Sequence, residues 1–124
     1  MATPKTDLKA RTKAFAVRVI RLVDSLPQSR SCDVIGHQLL KSATSVGANY
    51  RSACRGRSRA EFSAKLGIVE EEADEALYWF ELLVEADLMP QKLLADLMRE
   101  ANEITAMIVA SIKTARAAKG SERG

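Results

Sequence analysis

The chain has few of the residues that mark catalytic, metal-binding or disulfide-stabilised proteins. Its 124 residues include two cysteines, three prolines and one histidine. Cys32 and Cys54 lie outside any CxxC or Cys/His cluster, so we expect reduced thiols. His37 has no second histidine beside it, and no P-loop, dinucleotide-binding glycine motif or nucleophile elbow is present. The sequence therefore predicts no enzyme, no metal and no cofactor.

Long apolar segments are also missing. No run of about 18 uninterrupted apolar residues occurs, which argues against a membrane-spanning helix. Residues 1–5 contain no apolar core of the kind that a secretory signal has, so we expect a cytoplasmic protein. A length of 124 residues suits a single domain.

Apolar residues instead recur at helical spacing in four segments. The first helix is predicted over about 5–26, ending before Pro27, and the second over about 32–55. Ser58 to Glu61 forms a capping box for a third helix that runs to about Asp87. The fourth helix is predicted from Pro90. In the last two helices apolar residues step by four and three alternately, which is typical of knobs-into-holes packing.

Four helices joined by short loops predict an all-α fold, an antiparallel up-down-up-down four-helix bundle. We expect the bundle to cover residues 1–118 and a flexible C-terminal tail to cover 119–124. Ala43, Gly47 and Ala48 predict a close approach of the second helix to a neighbour, because small side chains let two backbones draw together.

Charge is distributed unevenly along the chain. Residues 1–66 contain 13 Lys and Arg against 4 Asp and Glu, whereas residues 67–124 contain 6 against 12. A basic half of this kind indicates a polyanion ligand, since Lys and Arg neutralise phosphates and release counterions. One alternative is that like subunits pair basic half to acidic half, and another is that the charges are scattered over solvated helix faces. The candidate nucleic-acid-binding residues are Arg11, Arg18, Arg21, Lys41, Arg51, Arg55, Arg57, Arg59 and Lys65.

The third helix carries an acidic run over residues 70–75. Carboxylates could ligate a metal, but the di-metal sites of helical bundles pair glutamate with histidine. No histidine lies near this run in the sequence. The inward positions of the heptad pattern are Val69, Ala73 and Ala76. We therefore interpret the run as a solvated outer face.

The segment 76–84 is apolar nearly all round, whereas a surface helix of a monomer keeps a polar face. Phe80 and Leu83 belong to the heptad pattern of the core. The remaining Tyr78, Trp79 and Leu82 predict an oligomer interface. The alternative is that they pack beneath the bundle's own loops.

These segments together resemble a known family. Gln38–Tyr50 is similar to the second helix of the 23S rRNA intervening-sequence proteins, also called four helix bundle proteins. Leu26 and Pro27 precede it, and Arg57–Phe62 and a glutamate-rich third helix follow in the expected order. The resemblance covers about residues 8–115.

That family in turn resembles the accessory variability determinant protein of diversity-generating retroelements. The latter is a basic, barrel-shaped homopentamer of four-helix bundles that binds nucleic acid and the element's reverse transcriptase. The resemblance therefore implies a homopentamer, RNA or DNA as ligand, a reverse transcriptase as a further partner, and no catalysis.

The chain departs from the commoner family sequence Asn-Ile-Ala-Glu-Gly after the small-residue stretch. It has Asn49-Tyr50-Arg51-Ser52-Ala53 there, so a carboxylate is missing and an arginine is added. We expect the Asn49 amide to hydrogen-bond across the bundle or at a subunit contact. The main hypothesis is a homo-oligomeric nucleic-acid-binding accessory protein. The alternative is a protein-only scaffold whose charge asymmetry pairs subunits.

Overall fold

The polar residues that precede the helices set where each helix starts. In the computed structural model, which describes residues 7–123 and the side chains of 7–118, the helices are α1 (Leu8–Asp24), α2 (Arg30–Cys54), α3 (Arg59–Glu85) and α4 (Gln91–Arg123). The Asp7 carboxylate accepts a hydrogen bond from the Ala10 N–H, and the Ser29 hydroxyl accepts one from the Cys32 N–H. Both caps satisfy backbone donors that the first helical turn leaves unpaired.

These caps refine the predicted boundaries. α1 was predicted from residue 5, which lies outside the described residues, and its helix begins after the Asp7 cap. α2 begins two residues before the predicted Cys32 because Ser29 is the cap. The differences are of the usual size for helix ends.

The predicted capping box of α3 is confirmed, with one change. The Ser58 hydroxyl accepts from the Glu61 N–H at 3.1 Å. The Glu61 carboxylate accepts from the Arg57 N–H at 3.4 Å, one residue before the cap. The acid therefore also anchors the turn that connects α2 to α3.

α3 ends without a glycine. Asp87 takes the left-handed conformation with φ of 58°. The Leu88 N–H donates to the Leu83 carbonyl at 2.9 Å and the Asp87 N–H to the Val84 carbonyl at 3.0 Å, the pattern of a Schellman motif. Leu88 also packs against the core. The chain thereby reverses, and α4 starts immediately after Pro90.

The four helices enclose one apolar core, and the predicted all-α four-helix bundle is confirmed. Each helix packs against the next, and α1 also packs against α4, so the ring of helices closes. Phe15 of α1 meets Phe80 of α3 edge-to-face with ring centroids 6.4 Å apart. The buried residues of α3 fall on the predicted heptad positions, which are Leu66, Val69, Ala73, Ala76, Phe80 and Leu83.

α1 and α2 approach closely at two glycines. A Cβ on Gly47 would lie 3.4 Å from the backbone oxygen and the hydroxyl of Thr12. A Cβ on Gly36 would lie 3.2 Å from Leu26 and 3.3 Å from Val23. The close approach predicted around Gly47 is therefore confirmed, and it fixes which α1 residues face α2.

The flexible tail predicted over residues 119–124 overlaps the C-terminal end of α4. The helix continues to Arg123. The side chains of residues 119–123 and the whole of Gly124 lie outside the described residues, so the flexibility of 119–124 stays a prediction. Within residues 7–123 no helix is long and apolar enough to cross a membrane.

Candidate nucleic-acid interface

A groove of about 490 Å³ runs between α1 and α2 on the outer side of the bundle. The helical period places residues three and four apart on one face of each helix, so each helix presents one stripe to the groove. The lining residues are Lys9, Thr12, Lys13 and Ala16 of α1, and Thr44, Gly47, Ala48, Arg51 and Arg55 of α2.

Small residues form the floor of this groove and cations form its rim. Gly47 faces Thr12 where the helices nearly touch. Lys9, Lys13, Arg51 and Arg55 are all exposed. Among the described residues that line the groove none is acidic. The groove is therefore a concave, positively charged surface.

Both threonine hydroxyls in the groove already donate a hydrogen bond to a carbonyl of their own helix. The Thr12 hydroxyl donates to the Leu8 carbonyl at 2.7 Å, and the Thr44 hydroxyl donates to the Leu40 carbonyl at 2.8 Å. A hydroxyl carries one proton, so both can only accept from a ligand. An anion in the groove would therefore be held by the four cationic side chains.

Arg51 and Arg55 are the two predicted residues that line this groove. Lys9 and Lys13 complete the set, and sequence reasoning missed them. The sequence feature that could have predicted them is their separation of four residues, which places both on one face of α1 with the small Thr12 and Ala16. Two basic residues one turn apart on each of two helices form a site only once those helices are known to pack together.

Arg11 turns the other way, towards α4. Its guanidinium binds the Glu100 carboxylate through two hydrogen bonds of 2.6 and 3.0 Å and reaches Glu103 at 3.2 Å. Only 13% of the side chain is exposed. The hydrogen bonds to Glu100 raise the pKa of Arg11 against the opposing effect of burial. Arg11 thus joins α1 to α4, and we leave it out of the proposed interface.

Two further predicted residues, Arg59 and Lys65, belong to the first part of α3. The Lys65 ammonium donates to the Ser52 hydroxyl at 2.6 Å and lies 3.9 Å from Glu61. Arg59 lines a second cleft, between the start of α3 and the C-terminal half of α4, beside Phe62 and Ser111. Neither residue lines the α1/α2 groove.

The other predicted cations are exposed outside the groove, namely Arg18, Arg21, Lys41 and Arg57. Arg18 follows Arg11 by seven residues and therefore lies on the α4 side of α1. Lys41 lies close to α3: the pKa of Glu72 is raised by burial and by Glu75, while Lys41 acts against that rise. None of these four side chains lines the groove.

The aromatic residues predicted for an interface are only partly covered. Tyr78 is 52% exposed, and its ring meets Trp79 edge-to-face at 5.1 Å. Trp79 and Leu82 are half-buried, and the Trp79 indole N–H donates to Glu75 at 3.3 Å. Their part in an oligomer interface stays a prediction.

The remaining polar groups that the sequence singled out include Asn49, Tyr50 and the two cysteines. The Asn49 amide donates to the Ser45 carbonyl one turn earlier in α2, so the expected bond across the bundle is not made among the described residues. The alternative expectation, a subunit contact, stays a prediction. Burial, helped by a hydrogen bond to Cys54, raises the pKa of Tyr50 to about 12. Cys32 and Cys54 are free thiols, as predicted. No group of three or more potential metal ligands occurs in the described part of the chain.

Comparison with known proteins places this bundle in a family. Residues 5–110 match the 23S rRNA-intervening sequence proteins. The chain belongs to this family. It is also similar to a crystal structure of a protein of unknown function from the S23 ribosomal protein family of Bacteroides thetaiotaomicron VPI-5482. The two chains are 35% identical with a TM-score of 0.81, over 86% of this chain and 98% of the other. No curated protein matches the sequence at a significant level.

Proposed function

We propose that this 23S rRNA-intervening sequence protein is a non-enzymatic, homo-oligomeric accessory protein that binds the nucleic-acid backbone without reading sequence. The observation that supports this most is the α1/α2 groove. Four cationic side chains from two helices surround one concave surface, with no acidic residue among the described lining residues.

The groove residues differ from Arg11 in their availability. Within residues 7–118, the side chains of Lys9, Lys13, Arg51 and Arg55 make no ion pair. A phosphate can therefore bind them without breaking an existing contact, whereas Arg11 would have to leave Glu100. Arginine adds paired hydrogen bonds to phosphate oxygens, which favours Arg51 and Arg55 as the stronger contacts.

The lining set favours backbone contact over base recognition. Asn and Gln read adenine edges and Asp and Glu read cytosine edges, and none of these types is among the described lining residues. Arg and Lys can read guanine, so guanine is the one base that the described lining matches. The described lining residues include no aromatic ring either, so they offer bases no stacking partner. Binding that depends on phosphates alone is strongly salt-dependent and insensitive to sequence.

Assembly would strengthen such binding. Several grooves on one particle bind as a multivalent surface, with an affinity well above that of one groove. The likeness to the accessory variability determinant supports a homopentamer, with Tyr78, Trp79 and Leu82 in its interface and a reverse transcriptase as protein partner. The family name, which refers to a segment within 23S rRNA, supports RNA as a ligand.

A charge-matched pair of variants tests the proposal. One variant replaces Lys9, Lys13, Arg51 and Arg55 with glutamine. Its control replaces the exposed α4 residues Lys92, Arg99, Lys113 and Arg116, which are also two lysines and two arginines.

Gel-shift titrations with structured RNA and duplex DNA at low and moderate salt give the readout. We expect the groove variant to lose most of its affinity and the α4 variant to lose little. Equal losses would show that net charge alone matters. Absence of binding by the parent to either probe at low salt would end the nucleic-acid proposal and favour the protein-only scaffold.

A further inference from the structure

We infer that the α1/α2 groove holds the sugar-phosphate backbone of a double helix rather than an isolated single strand, with Lys9 and Lys13 as contacts beside Arg51 and Arg55. The inference rests on the proposed function and specifies its ligand. The shape of the groove, the placement of the four cations and the lack of an aromatic ring among the described lining residues support it.

The four cations follow one another along the length of the groove, and this row of side chains is called the track. Gly47 faces Thr12, so Lys9 and Arg51, each about one turn further towards the same end of the bundle, lie across the groove from each other. Arg55 lies one turn beyond Arg51, and Lys13 lies on the other side of the Gly47 contact. At about 1.5 Å of rise per residue, the track from Lys13 to Arg55 is about 14 Å long. It is long enough to contact consecutive phosphates of one strand.

The lining favours a ligand whose bases are already stacked on one another. The apolar residues in the groove are Ala16, Gly47 and Ala48, which are too small to replace a neighbouring base. Tyr50 is half-buried and packs against the core, and it does not line the groove. Single-strand binders gain much of their affinity from aromatic stacking. A single strand in this groove would lose base stacking without replacement, whereas a duplex keeps it.

A regular backbone also suits a rigid array of cations. The four residues extend from two packed helices whose separation is fixed where Gly47 meets Thr12. A duplex presents phosphates at fixed spacing, so little further ordering of the ligand is needed on binding. A flexible strand must be ordered first, which reduces its net affinity.

Fluorescence anisotropy with four probes tests the inference on the full chain. The probes are a short mixed-sequence DNA duplex, the RNA duplex of the same sequence, one DNA strand alone and an oligo-dT of equal length. The variant is Lys9→Gln with Lys13→Gln, and its control is Lys92→Gln with Lys113→Gln. Circular dichroism confirms equal helix content in all three proteins.

We expect the parent to bind one or both duplexes about tenfold or more tightly than either single strand at low salt. The Lys9/Lys13 variant should lose about tenfold in duplex affinity, and its slope of log affinity against log salt should fall by about 1.8, since each phosphate contact contributes about 0.9. The Lys92/Lys113 control should behave as the parent. A preference for one duplex identifies an A-form or B-form backbone as the ligand.

The other outcomes separate the two claims. Single strands that bind as tightly as the duplexes would overturn the inference and leave the proposed function standing. Duplex binding that is unchanged in the Lys9/Lys13 variant would remove these two lysines from the interface and overturn the inference that they are contacts beside Arg51 and Arg55. Failure of every probe to bind would overturn both.

Discussion

At the scale of single residues, the same side-chain type has different roles in different surroundings. Arg11 is held by two carboxylates of α4, whereas Arg51 and Arg55 line a groove that has no acidic residue among its described lining. Asp87 occupies a backbone conformation that usually favours glycine. Tyr50 is half-buried against the core, whereas Tyr78 is 52% exposed. Each difference gives a measurable effect.

Replacing Arg11 should separate stability from binding. Arg11→Met removes paired hydrogen bonds to Glu100, so we expect a loss of about 1.5–3 kcal/mol in unfolding free energy. Affinity for nucleic acid should not change when measured well below the melting temperature. Arg99→Gln is the control, because its ion pair with Asp96 is exposed and should contribute less than about 1 kcal/mol. A stable Arg11→Met protein that binds nucleic acid poorly would return Arg11 to the interface.

Asp87→Gly should stabilise the bundle. The substitution relieves the side-chain strain of a φ of 58°, and we expect a gain of about 0.5–1 kcal/mol in a urea titration. Ala86→Gly, at a position without positive φ, should not stabilise. A lower urea midpoint for Asp87→Gly would show that the aspartate side chain adds more to the unfolding free energy than its backbone strain removes.

Tyr50 should make stability fall at high pH. Burial, with help from Cys54, raises its pKa from 10.0 to about 12, so the folded state retains the phenol proton that the unfolded state releases first. This contribution is fully present below about pH 10 and is lost as the pH rises towards 12. Tyr50→Phe should therefore lose less stability than the parent over that interval. Equal pH profiles for Tyr50→Phe and the parent would contradict the assignment.

At the scale of elements, the capping box and the heptad positions of α3 were readable from sequence, whereas the Asp7 and Ser29 caps and the groove were not. The capping box at Ser58 and the inward positions of α3 depend on neighbours within a few residues, so the sequence predicted both. The partner of Arg11 lies 89 residues away, and the meeting of Lys9 with Arg51 depends on the contact at Gly47. Spacing along one helix cannot identify neighbours on another. Asp87 was missed because left-handed helix ends are commonly marked by glycine.

Removing the α3 cap should weaken the bundle modestly. Ser58→Ala deletes the acceptor for the Glu61 N–H, so we expect a loss of about 1 kcal/mol in unfolding free energy. Ser31→Ala, at an exposed position within the first turn of α2, is the matched control and should have little effect. An unchanged midpoint for Ser58→Ala would mean that Glu61 alone holds the start of α3.

At the scale of the whole molecule, the groove and the proposed oligomer belong to different faces. The cations line α1 and α2, whereas Tyr78 lies exposed on the acidic α3. An assembly built through α3 would leave the α1/α2 groove of each copy open to a ligand. Multiple grooves would then act together, which gives the proposed function its affinity.

Light scattering tests the assembly. We expect a mass several times that of one chain, reduced by Tyr78→Ser, because large interface aromatics are frequent hot spots. Val34→Ser, another exposed apolar position but on α2, should leave the mass unchanged. A monomer mass for the parent would remove the oligomer from the account while leaving groove binding to be judged separately.

The central claim is that the nucleic-acid backbone lies in the α1/α2 groove, and alanine-methyl NMR locates it directly. Ala16 and Ala48 line the groove, whereas Ala95 and Ala106 belong to α4 outside it. During titration with a short duplex, the methyl signals of Ala16 and Ala48 should shift, and those of Ala95 and Ala106 should stay. Shifts confined to the α4 methyl groups, with Ala16 and Ala48 unchanged at saturation, would contradict the account.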